Sequence, residues 1–89
     1  MGQEQRREPR LRSRGEVTIF CHGMPEIPAT IQDMGVSGLG LLADRPLPAG
    51  APVRIESHGI TAVGVVRHCR PTGGVFHLGI ALHSLPAEP

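Results

Sequence analysis

Apolar and polar residues alternate along this chain in short runs, and each run is closed by glycine or proline. In "EVTIFC" the alternation puts Val17, Ile19 and Cys21 on one face, as in a half-buried strand. "HGMPE" reads as a turn, and "IPATIQD" as a second strand in which Ala29 and Ile31 share a face. Pro28 fits near the start of that strand, where its missing N–H costs least. "GLGLLA" predicts a third strand, "DRPLPAG" a loop, and "APVRIES" a fourth strand with Val53 and Ile55 inward. "HG" at positions 58–59 predicts a tight hairpin into a fifth strand, "ITAVGVVRHC", with valines at 63 and 65. "RPTGG" turns the chain into "VFHLGIAL", with Phe76, Leu78, Ile80 and Leu82 inward, and "SLPAEP" ends the pairing.

Six short strands punctuated every 8–12 residues or so, with no long amphipathic helical pattern, predict an all-β sandwich or barrel. A small antiparallel sheet must hide its edges, and closure does this, so the expected fold is a six-stranded antiparallel β-barrel. Residues 1–14 have no apolar periodicity and read as a flexible arginine-rich arm, 15–85 as the barrel and 86–89 as a tail. At 89 residues the chain is one small domain of modest expected stability.

The charge changes this picture more than the composition does. All nine basic residues are arginine, and five of them (Arg6, Arg7, Arg10, Arg12 and Arg14) fall in the arm. From Val17 onward four arginines face five acids, a net of 4 − 5 = −1. A positive potential confined to one end disfavours a broad duplex footprint, so no DNA partner is expected. It suits a local anion site, because the guanidinium fork meets a phosphate or a guanine edge with two hydrogen bonds. There is no long apolar run and no apolar leader, so neither membrane insertion nor secretion is expected and a cytoplasmic location is the simplest reading. Cys21 and Cys69 do not make a disulfide framework. The adjacent pairs Cys21–His22 and His68–Cys69 point to opposite strand faces, so no metal site or cofactor is expected. His77 and His83 share an outward face and are expected to be solvated, as are Arg67 and Arg70, for which a basic rim is the alternative. No nucleophile, base and orienting acid stand in a usable pattern, so the protein is not expected to be an enzyme.

"QDMGVSGLG" concentrates glycine beside one carboxylate. Taken with the arm, it resembles the PilZ domain, the bacterial receptor module for cyclic di-GMP. Three features carry the resemblance: "RREPR", an Arg-x-x-x-Arg arm before the first strand; "DMGVSG", similar to the Asp/Asn-x-Ser-x-x-Gly turn between the second and third strands; and the back half, in which "LPAGAPVRI" resembles the family's loop and fourth strand and "VVRHC…VFHLGIAL" its closing hairpin, including Gly79. The resemblance implies a cyclic di-GMP site formed by Arg6, Arg7, Arg10, Asp33, Gly35, Ser37 and Gly38. In it arginines act as phosphate forks, base-edge readers or stacking plates, Asp33 accepts from the N1–H and N2–H edge of guanine, and Gly35 and Gly38 clear space for the base. Arg10 and Arg14 repeat the spacing of Arg6 and Arg10; the earlier pair is preferred because the doubled arginine is the commoner family form. Gly35 stands where the family motif has serine, with Ser37 two residues on.

A receptor without an output domain has to signal through a protein effector, here by ordering the arm over the ligand. The resemblance implies control of motility, surface polysaccharide or biofilm behaviour. The alternative is a degenerate PilZ-like interaction module that binds no nucleotide. A single-stranded RNA barrel is the other rival, but it would need stacking aromatics, and the chain has only Phe20 and Phe76.

Overall fold

A computed structural model describes residues 15–36 and 38–84. The arm at 1–14, Ser37 and the tail from 85 lie outside the described residues. Within them every regular element is a strand: β1 Glu16–Cys21, β2 Ile27–Met34, β3 Gly38–Ala43, β4 Pro52–Ser57, β5 Ile60–Thr72 and β6 Val75–Ser84. They form a closed barrel in the order β1-β2-β3-β6-β5-β4, antiparallel throughout, as the alternation predicts.

The turns follow from backbone chemistry. His58 (φ 49°) and Gly59 (φ 83°) both take the left-handed conformation, which a two-residue hairpin with the right-handed strand twist requires. Gly73 (φ 62°) and Gly74 (φ 93°) do the same between β5 and β6. Arg70, Pro71 and Thr72, expected in that turn, instead continue β5 and pair with His77, Phe76 and Val75. The loop after β3 is held by Leu47, 2% exposed, and by the Gly50 N–H donating to the Val66 carbonyl at 2.7 Å. Val66 N–H donates in return to the Ala51 carbonyl at 2.9 Å. The Ser57 hydroxyl donates to the Glu16 carbonyl at 3.0 Å, tying β4 to β1 where the barrel closes.

The interior is purely apolar among the described residues, centred on Ile19, Ile27, Leu41, Val66, Leu78 and Ile80. Its inward positions match the expected faces of β1, β2 and β4. In β5 the valines at 63 and 65 take the outward face. Val63 is 40% exposed, Val65 is half-buried, and Gly64 and Val66 face inward instead. The cause is a bulge at Arg67, where the pairing steps from Val66↔Ile80 to His68↔Gly79. One extra residue inverts the alternation on either side of it. Phe76, expected inward, is half-buried near the barrel's end. Phe20 is half-buried too, with the Arg54 guanidinium carbon 4.3 Å from its ring centroid. Arg54 Nε also donates to Glu56 at 2.9 Å.

Candidate nucleotide-binding face

On β3 the odd positions Leu41 and Ala43 fill the interior, so Gly38, Gly40 and Leu42 face outward. Their partners on β6 are Ala81, Gly79 and His77. The next strand, β5, adds Val65, His68 and Arg70 opposite those three. On the other side Asp33 of β2 pairs with Gly40. Asp33, Gly40, Gly79 and His68 therefore form one outward row across four strands. Its middle has no side chains.

Both ends of the row lean over that gap. A Cβ on Gly40 would lie 2.6 Å from Asp33 Oδ1 and 2.8 Å from Oδ2, so the carboxylate rests directly on the Gly40 backbone. A bulge between Ile31 and Asp33 turns this side chain outward; with unbroken alternation Asp33 would share the inward face of Ala29 and Ile31. On the far side the His68 imidazole covers Gly79 in the same way. His68 Nε2 lies 3.3 Å from His77 Nδ1, one nitrogen donating to the other. His77 is thus not freely solvated: it is half-buried and bonded across the strands. Beside this row a cleft of about 480 Å³ is lined by Gln32, Asp33, Leu42, Arg70, Thr72 and His77 among others. A larger cleft of about 700 Å³ is lined by Glu16, Asp44 and Glu56, with no arginine, and its charge repels an anion. The chemistry favours the smaller cleft.

The β2–β3 turn closes with the Gly35 N–H donating to the Gly38 carbonyl at 2.9 Å. Gly35 is exposed with nothing within 4 Å of a Cβ position, whereas a Cβ on Gly38 would lie 2.5 Å from the Ile80 carbonyl oxygen. Gly38 is therefore demanded by the approach of β6 to β3. The row depends instead on Gly40 and Gly79, whose missing side chains make room for the Asp33 carboxylate and the His68 imidazole, and which sequence reasoning did not assign to the site. Arg6, Arg7, Arg10 and Ser37 lie outside the described residues. Gly15, where the arm joins β1, sits against Ile31, its Cβ position 3.2 Å from the Ile31 carbonyl oxygen. The arm thus leaves the barrel beside the strand that presents Asp33. Among the described residues no three His, Cys, Asp or Glu side chains gather to hold a metal ion, and no helix is long and apolar enough to cross a membrane.

The family model for the PilZ domain matches residues 4–89. The chain belongs to the PilZ domain family. No curated protein gives a significant match. PilZ domains are in general cyclic di-GMP-binding and adaptor modules rather than enzymes, and the match takes in the arginine arm, the Asp33–Gly38 turn and the glycine-floored row together.

Electrostatics give this PilZ face a pH dependence. Partial burial, then the charges of Arg70, His77 and Arg67, hold His68 below its ordinary value of 6.5. The unfolded chain then binds more protons than the folded one between the folded value and 6.5, so stability rises with pH through that window. The Tm is expected to fall as pH drops from 7.5 to 5.5, and less steeply in His68→Ala. Parallel Tm-against-pH lines for the two proteins, read by circular dichroism, would refute this.

Proposed function

We propose that this PilZ domain is a cyclic di-GMP receptor that holds the nucleotide between its arginine arm and the outward face of β2, β3, β6 and β5. The observation that carries the reading is the placement of the Asp33 carboxylate over Gly40 on the outward face, on the strand beside which Gly15 joins the arm to β1. A carboxylate there accepts from the donor-rich edge of guanine. Arg10 lies five residues before Gly15, a reach of about 16–18 Å for extended chain, enough to bring its guanidinium over this face. Arg7 and Arg6 stand three and four residues further back in the sequence. Ser37 and the Gly38 amide supply the remaining contacts at the turn, which the Gly35 N–H holds closed. Closing the arm over the ligand changes the surface offered to a protein effector, and this change is the signal. No catalytic step or resident cofactor is part of the proposal.

Isothermal titration with cyclic di-GMP tests the reading, with GMP as the control ligand. Removing a charge-assisted phosphate or base contact of about 1.5–3 kcal/mol in Arg10→Ala is expected to weaken binding about 10- to 150-fold. Absence of heat with the parent chain would instead favour the second reading, a PilZ fold used as a protein-interaction adaptor. That reading draws on Gly35: it occupies the motif's serine position in open space, and supplies no hydroxyl.

A further inference from the structure

The His68 ring has a defined attitude. Its Nδ1 and Nε2 lie 2.7 and 2.8 Å from the position a Gly79 Cβ would take, with Cε1 between them closer still. Near-equal, only slightly longer distances to the two flanking nitrogens mean that the Cα–Cβ direction of residue 79 meets the ring through its face. An approach along the ring edge would leave both nitrogens much further away than Cε1. The Cα–Cβ direction of an outward strand residue stands roughly perpendicular to the sheet. The imidazole of His68 therefore lies flat on the sheet with its other face turned outward.

His77 extends the same surface. The two ring planes differ by only 13°, with centroids 5.4 Å apart and Nε2 to Nδ1 at 3.3 Å. Overlapping faces at that centroid separation would leave the nearest nitrogens further apart. The rings thus lie side by side, nearly in one plane, joined by a single N–H···N bond. Together they make a two-ring aromatic plate. The chain has no tryptophan or tyrosine, Phe20 is already capped by Arg54, and Phe76 is half-buried. Among the described residues, this plate is the broad aromatic surface on the outward face of β6 and β5.

We propose that the His68–His77 plate is the stacking surface for a purine base, a positioning element of the nucleotide face that the family motifs do not contain. The proposal rests on the receptor reading above and assigns a place to one base within it. The plate covers Gly79 and the carboxylate covers Gly40, so the two are separated by about one strand spacing, 4.8 Å or so. A base lying on the plate brings its edge beside Asp33. Arg70, paired with His77 in the register and lining the adjacent cleft, stands ready for a phosphate. Partial burial, with Arg70, His77 and Arg67 beside it, favours the neutral form of the His68 ring.

The test is NMR of the ring C–H signals of the full-length protein, titrated separately with cyclic di-GMP and with GMP. Stacking should move the His68 and His77 Cε1–H signals upfield by ring current. His68→Ala should weaken cyclic di-GMP binding about 5- to 150-fold, the usual range for removing a base-stacking side chain. His68→Phe should restore most of it, because phenylalanine keeps the plate but cannot bond to His77; rescue thus separates stacking from a structural role. Thermal melts confirm that each variant is folded. Binding seen at the Asp33 and Gly40 amides with stationary histidine rings and unaltered affinity in His68→Ala would overturn the plate and leave the receptor reading standing. Ring shifts with GMP, without tighter binding of cyclic di-GMP, would retain the plate and overturn the receptor reading. Silence with both nucleotides would overturn both.

Discussion

Leu41→Ala is expected to cost about 2–5 kcal/mol, the usual range for emptying a fully buried leucine site. Leu41 is 0% exposed and sits in β3 between Ile31 of β2 and Leu78 of β6, and β4, opposite β3 in the closed order, adds Val53 and Ile55 to the same core. Chains of this size are stable by about 4–13 kcal/mol in total, so the loss removes a large share. A barrel closed on itself has little freedom to collapse around the vacated volume, since each strand is hydrogen-bonded on both sides. The Tm is expected to fall by at least about 8 °C, given some 4 °C or more per kcal/mol in a domain this small. Leu41→Met conserves volume and should cost less than about 1.5 kcal/mol. A Leu41→Ala protein melting with the parent would show an interior too loose to define the registers described above.

The strands were legible because the signals that set them are local. Alternation in "EVTIFC" and "APVRIES", and glycine at 59, 73 and 74, act within a few residues of where they stand. The bulges are not local in that sense. Reading alternation backward from Cys69, which packs on the core, puts Val65 and Val63 inward; the extra residue at Arg67 breaks that chain of inference. Its only sequence trace is Gly64, whose missing side chain marks an inward position too crowded by the Ala81 backbone for a Cβ. The site divides along the same line. The Asp33–Gly38 turn is contiguous and was legible as a motif. The Gly40–Gly79 pair and the His68–His77 plate exist only through the pairing of β3 with β6 and of β6 with β5, set by barrel closure between residues far apart in the chain.

Asp33→Ala is expected to weaken cyclic di-GMP binding about 10- to 150-fold, with Tm within a degree or two of the parent. The two halves of this expectation have separate causes. Asp33 is exposed, and the ion pairs among the described residues join Arg45 to Asp44 at 3.9 Å and Arg54 to Glu56 at 2.9 Å, so its removal breaks neither. Its carboxylate lies on Gly40, where a guanine edge would meet it, and a lost charge-assisted bond costs about 1.5–3 kcal/mol. The sign of the effect is the decisive part. Cyclic di-GMP carries two negative phosphates, so a carboxylate near it without a base contact repels the ligand, and deleting that charge would tighten binding. Only a carboxylate that accepts from a base makes deletion weaken it. Asp33→Asn keeps one acceptor oxygen, removes the charge and turns the other oxygen into a donor facing the N1–H and N2–H edge. It should bind no better than Asp33→Ala if Asp33 reads guanine, and better than the parent if Asp33 only repels phosphate. Titrating all three proteins at low and high salt separates these cases, since repulsion fades with ionic strength while a base-edge bond largely persists.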